Sequence, residues 1–250
     1  MDKLEFLNYI KNNIKNMKKS KSFSYFPNST HIYKDFLSKN GGIVTGLSNI
    51  VLDDDNVYGD LFDNINYYLD KTSNKNSVVV KAIQKTVLDY FGVGKPAQDK
   101  DKMMYLKLQY DKNRDTSIKD LKDKRWASCM ERSALAFNLF KALDYDCALI
   151  STDVNFCNKV EGHSFLLVKL DEKYFVYDLI ASKIQDGEMP SPLLCELEPN
   201  VGQKIMNGII PKDINLYNVR FNTQSGKQHS ISYHFYKNYQ KNKENDEKTR

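Results

Sequence analysis

The segment Ser128-Cys129-Met130-Glu131 constrains this chain more than any other four residues. A serine followed three positions later by glutamate, just ahead of an apolar run, is the capping-box pattern. The hydroxyl takes a free helix N–H and the carboxylate returns to the cap N–H. A helix is therefore expected to begin at Cys129. Ala134, Leu135, Asn138, Leu139, Ala142 and Leu143 then recur at three- and four-residue spacing, so this helix runs to about Leu143, ends near Asp144 and buries a face. It reads as central, and the remaining elements have to be arranged around it.

After it the period changes. Cys147 to Ser151 is an apolar run of strand length, and Thr152 to Gly162 reads as a polar loop. His163 to Leu170 and Tyr174 to Ile180 read as strands of a hairpin turning at Asp171-Glu172-Lys173, and Leu216 to Phe221 with Ser230 to Phe235 form a second hairpin around Asn222 to Gln228. Upstream, residues 3–17 place Leu4, Phe6, Leu7, Ile10 and Ile14 at helical spacing. Gly42 to Leu52 reads as a strand, residues 59–70 as a helix, and Met103 to Tyr110 as a short helix. Val79, Val80, Ile83, Val87 and Phe91 make a helical stripe that Gly92 and Gly94-Lys95-Pro96 close. The polar stretch Thr72 to Asn76 suggests a boundary near 75. The expected organisation is a mostly helical N-terminal extension over 1–75, one domain over 76–236 and a charged, disordered tail over 237–250. The fold class is α+β, with the Cys129 helix packed on an antiparallel sheet from about 147 to 235.

Composition narrows the function classes. With 41% hydrophobic and 28% charged residues, 16 Tyr and 13 Phe, the chain has material for a sizeable core. The net charge of +5 is a small excess of 37 basic over 32 acidic residues. Its densest basic run, Lys11 to Lys21, lacks interleaved aromatics and reads as a solvated helix face, so no nucleic-acid partner is expected. Cys129, Cys147, Cys157 and Cys195 contain no CxxC pair, and His31, His163, His229 and His234 add no compact ligand spacing, so neither a metal site nor a disulfide framework is expected. Gly92-Val93-Gly94-Lys95-Pro96 is not a phosphate loop, and Asp53-Asp54-Asp55 reads as an exposed turn rather than a calcium loop. No cofactor follows from either. No secretory leader or membrane span is read at the start of the sequence. The expectation is a cytoplasmic protein in the producing cell, with signal-independent delivery to a host cell left open.

Three residues carry chemistry. A cysteine attacks carbonyls as thiolate and burial alone disfavours that form, but the first helical position offers free N–H groups and the positive end of the helix dipole. His163, directly after Gly162, is the candidate base. Asp178 lies fifteen residues further on, and a hairpin turning at 171–173 would bring Tyr177 and Asp178 back alongside Gly162 and His163 to fix the imidazole tautomer. Each has a structural alternative, since a buried cysteine, a strand histidine and a strand-end aspartate are ordinary core residues. The ordered triple favours the functional reading. Trp126, the one tryptophan, is a candidate groove residue or indole donor with packing as its alternative. Gln109 is a candidate second oxyanion donor, and Glu131 a capping and salt-bridge residue.

Arg125-Trp126-Ala127-Ser128-Cys129-Met130-Glu131-Arg132-Ser133-Ala134, Gly162-His163-Ser164-Phe165 and Tyr174-Phe175-Val176-Tyr177-Asp178 together resemble the transglutaminase-like superfamily of papain-like thiol enzymes, over about residues 77–180. The resemblance implies a papain/transglutaminase-like fold, a Cys129-His163-Asp178 triad and thioester chemistry, and is weak for substrate, for which a protein or peptide amide is the expectation. It does not select the acyl acceptor. Water gives a peptidase or deamidase, an amine gives a transglutaminase or acyltransferase, and a non-catalytic binding module on the same fold is the competing class. Hydrolysis is the expectation, because no second-substrate signal is present. Arg125, Cys129, Glu131, His163 and Asp178 also resemble the arylamine N-acetyltransferases, although Trp126-Ala127 stands where that family carries a glycine pair and less chain follows Cys129.

Overall fold

The structure, a computed structural model, describes residues 1–16, 22–25, 31–33, 43–45, 48–92, 100–112, 114–156, 159–179, 193–209, 215–222 and 228–234. The N-terminal part contains α1 (Lys3–Asn16), β1 (Ser22–Tyr25), β2 (His31–Tyr33), β3 (Ile43–Thr45), β4 (Ser48–Val51), α2 (Asn56–Leu69) and α3 (Lys75–Phe91). Then come α4 (Lys100–Asp111), β5 (Thr116–Ser117), α5 (Ile118–Asp123) and α6 (Cys129–Ala142). The remainder is β6 (Cys147–Phe156), β7 (Lys159–Leu170), β8 (Lys173–Asp178), β9 (Leu193–Leu197), α7 (Pro199–Met206), β10 (Asn215–Asn222) and β11 (Gln228–His234). The class is α+β.

Local chemistry sets the helix ends. Asn74 caps α3 by accepting the Ser77 N–H at 2.8 Å, and Gly92 ends it with φ +59°, a conformation that costs a glycine little. Ser117 caps α5 through its hydroxyl, which accepts the Lys119 and Asp120 amides. In α6 nearly every side chain from Glu131 to Ala142 is buried, as befits a helix enclosed on all sides.

The main sheet runs β1-β2-β6-β7-β8-β9, with β11 also paired to β6 and β10 to β11, all antiparallel. β3, β4 and β5 form a small separate sheet. α6 lies on β6 and β7, tied there by the Ser133 hydroxyl, which donates to Ser164 O at 2.8 Å. Phe137, Phe140, Leu139, Leu149, Leu166 and Val168 fill the layer between, and α3 covers the other side of α6 with Val80, Ile83 and Val87. Each such side chain is worth roughly 1.5–3 kcal/mol when withdrawn from water.

Several expectations change. Thr152 to Gly162 is not a polar loop: its described residues continue β6 to Phe156 and open β7 at Lys159, with Thr152 paired to His163 and Asp153 to Gly162. Thr152 and Val154, which share one face of the strand, are both buried. The span 42–52 holds two strands, β3 and β4, rather than one. The expected boundary near 75 falls at the start of α3, which packs on α2. The first 75 residues also supply β1 and β2, and β2 pairs with β6, while Phe6 and Ile10 of α1 sit in the core. That segment is built into the body rather than appended to it. Residues 237–250 and Cys157 lie outside the described residues.

Candidate active site

Cys129 opens α6. The box that holds it closes through the carboxylate: the Ser128 N–H and the Ser128 hydroxyl both donate to Glu131 Oε2, at 2.7 and 2.6 Å. The first ladder bond of the helix is Arg132 N–H to Ser128 O, so the Cys129 and Met130 amides before it have no acceptor within the helix, while the Glu131 amide belongs to the box.

β7 and β8 deliver the other two residues. The turn is Asp171-Glu172, tighter than the three-residue turn expected, with Asp171 at φ +52°; Lys173 already belongs to β8 and pairs with Leu170. Tyr177 therefore pairs with Leu166, not with Gly162 or His163, and the ladder ends there. Asp178 stands one residue beyond, on the face that carries Phe165 and His163, and reaches His163 along the diagonal. The result is a buried contact, His163 Nε2 to Asp178 Oδ2 at 2.7 Å. His163 is 6% exposed and Asp178 0% exposed. The Cys129 thiol is also within hydrogen-bonding reach of His163, and the Ser164 backbone amide reaches it too.

The charges follow from this geometry. Burial alone would raise the half-buried Cys129 thiol, and Glu131 adds to that. The hydrogen bond and charge of His163, with the Ser164 amide, outweigh both and set it below its ordinary value of 9.0. Burial would lower His163, but the Asp178 carboxylate beside it, with Cys129, pushes it up to about 10. The arrangement favours a thiolate–imidazolium pair. Cys147 shows the contrast: fully buried in β6, it is pushed up to about 12 by burial. Cys195 is likewise buried, in β9.

The structure thus brings Cys129, His163 and Asp178 together and treats the two secondary candidates differently. Trp126 is buried in the main core, tilted against Tyr105 with ring centroids 5.4 Å apart, a packing position. Gln109 sits half-buried on α4, two helical turns from Lys102. Lys102 is the α4 residue that reaches the start of α6: its ammonium lies 2.6 Å from Glu131 Oε1 and donates to Ser128 Oγ at 3.1 Å. Sequence reading missed Lys102. Its only signal is that it shares a stripe with Leu106, and its partner is chosen by tertiary packing.

A groove of about 850 Å³ between α1, α2 and the α6–β6 turn lies at the far end of α6, roughly 20 Å along the helix from Cys129, and does not belong to this site. Among the described residues, no helix is long and apolar enough to cross a membrane, and no His/Cys/Asp/Glu group is placed to hold a metal ion. No family model, no curated protein and no solved structure matches this chain.

Proposed function

We propose that this protein is a cysteine-dependent amide hydrolase of the papain/transglutaminase-like kind, acting on a protein or peptide. The observation that carries the reading is the half-buried Cys129 thiol against the buried His163–Asp178 pair, with the thiol held low and the imidazole held high. A nucleophile-bearing helix on an antiparallel sheet whose neighbouring strands carry the His and the Asp supports the finer family reading.

In this mechanism the Cys129 thiolate attacks the amide carbon, and the carbonyl electron pair moves onto oxygen. In this reading the Cys129 and Met130 amides at the start of α6 donate to that oxyanion. Collapse breaks the C–N bond, and the leaving amine takes the proton of the His163 imidazolium, giving a thioester and neutral His163. His163 then removes a proton from water as it adds to the thioester. The C–S bond breaks, releasing the carboxylic product, and the thiolate–imidazolium pair is restored. Asp178 keeps Nε2 of His163 protonated and leaves Nδ1 for the thiol.

The test is a mass-spectrometric comparison of candidate proteins incubated with wild type and with Cys129→Ala. New peptide ends give a peptidase and conversion of glutamine or asparagine to its acid gives a deamidase, in each case with wild type alone. Amine incorporation or cross-linking moves the acyl acceptor from water to an amine. Equal turnover with Cys129→Ala refutes the proposal.

A further inference from the structure

The capping box sets an electrostatic problem. Glu131, two residues after the thiol on the same helix, closes the box, but its charge opposes the thiolate and competes for the positive end of α6. Glu131 is 3% exposed, so water does little to screen it. On the far side of the carboxylate, Lys102 of α4 is equally buried and lies 2.6 Å from Oε1, while Oε2 takes the Ser128 N–H and hydroxyl. The same ammonium donates to Ser128 Oγ, so one lysine grips both ends of the box.

We propose that Lys102 is a positioning residue of the thiol site: it neutralises Glu131, so the box fixes Cys129 at the first helical position without setting a net negative charge beside the thiolate. This rests on the reading of Cys129 as nucleophile. The other charged groups around the thiol are accounted for. His163 of β7 bonds it directly and Asp178 of β8 stands behind that imidazole, while Arg132 of α6 donates to Gly92 O at 2.6 Å and, without forming an ion pair with Glu131, feels its charge at longer range. Lys102 is the cation in contact with Glu131 among the ion pairs of the described residues.

The test is the pH dependence of Cys129 alkylation by iodoacetamide, followed by peptide mapping on the full chain. Lys102→Met moves the thiolate midpoint up by about one pH unit, so the rate falls about tenfold at pH values well below the wild-type midpoint. Adding Glu131→Gln removes the stranded charge and returns the midpoint to within a few tenths of wild type. A lysine that only held the fold together would leave the thiolate midpoint unmoved in the folded single and double variants alike. If far-UV circular dichroism shows Lys102→Met to be unfolded, Lys102→Gln, which keeps a donor without the charge, decides in the same two backgrounds. A Lys102 variant whose profile superimposes on wild type, or a double variant as shifted as the single, overturns the proposal and leaves the nucleophile reading intact. A wild-type midpoint at the ordinary free-thiol value overturns both.

Discussion

Replacing Asp178 with asparagine keeps the shape of the side chain and removes its charge. The carboxylate is 0% exposed, with Oδ2 2.7 Å from His163 Nε2. Removing one member of a buried, hydrogen-bonded charge pair costs about 3–5 kcal/mol. For a chain of this length each kcal/mol moves the melting midpoint by about 2–4 °C, so Asp178→Asn should lower it by roughly 6–20 °C. The loss has a definite pH dependence. His163 is raised in the folded protein from 6.5 to about 10, so the stability it contributes is complete below its unfolded value and is lost as pH rises through its folded one. The gap between wild type and Asp178→Asn should be widest near about pH 6 and should close toward about pH 10. Thermal melts followed by circular dichroism at three pH values measure it. A variant as stable as wild type at the acidic end, or a gap that does not change with pH, would refute the assignment of the buried contact as an ion pair.

Other perturbations separate the site from its support. At about pH 7 iodoacetamide should label Cys129 more than about 100-fold faster than Cys147, as read by peptide mapping, because one thiol is lowered by His163 and the other is pushed up by burial. Gly202→Ala should destabilise by about 1–3 kcal/mol in urea titration, since a Cβ there would stand 2.3 Å from Tyr174 Cβ and Cγ and force α7 off β8. Labelling of Cys129 in the folded variant should be unchanged. Phe137→Ala, at a fully buried position of α6, should cost about 3–5 kcal/mol by the same titration.

The chain states some of this locally and leaves the rest to packing. The start of α6 is written in four contiguous residues, because a capping box needs nothing beyond its own turn, and the α1, α2 and α3 stripes are likewise local. The approach of His163 to Asp178 was legible as a hairpin, but the register was not. A two-residue turn sets Tyr177 opposite Leu166, and the contact follows a diagonal rather than a rung. The extension of β6 past Ser151 buries Thr152 and Val154, two residues apart, a strand signal that its polar composition hid. β1, β2, α5, β9 and α7 are eight residues or fewer and owe their form to neighbours supplied by the fold. Lys102 stands among other lysines and aspartates, and nothing in the sequence marks it as the one that is buried.

The most direct measurement is the pH profile of Cys129 alkylation in wild type and His163→Ala. The account predicts a wild-type thiolate midpoint below that of an ordinary thiol, and a His163→Ala midpoint shifted upward by more than about one pH unit, because burial then acts without the imidazolium to oppose it. Coincident profiles, or a wild-type midpoint no lower than about 8.5, would contradict it.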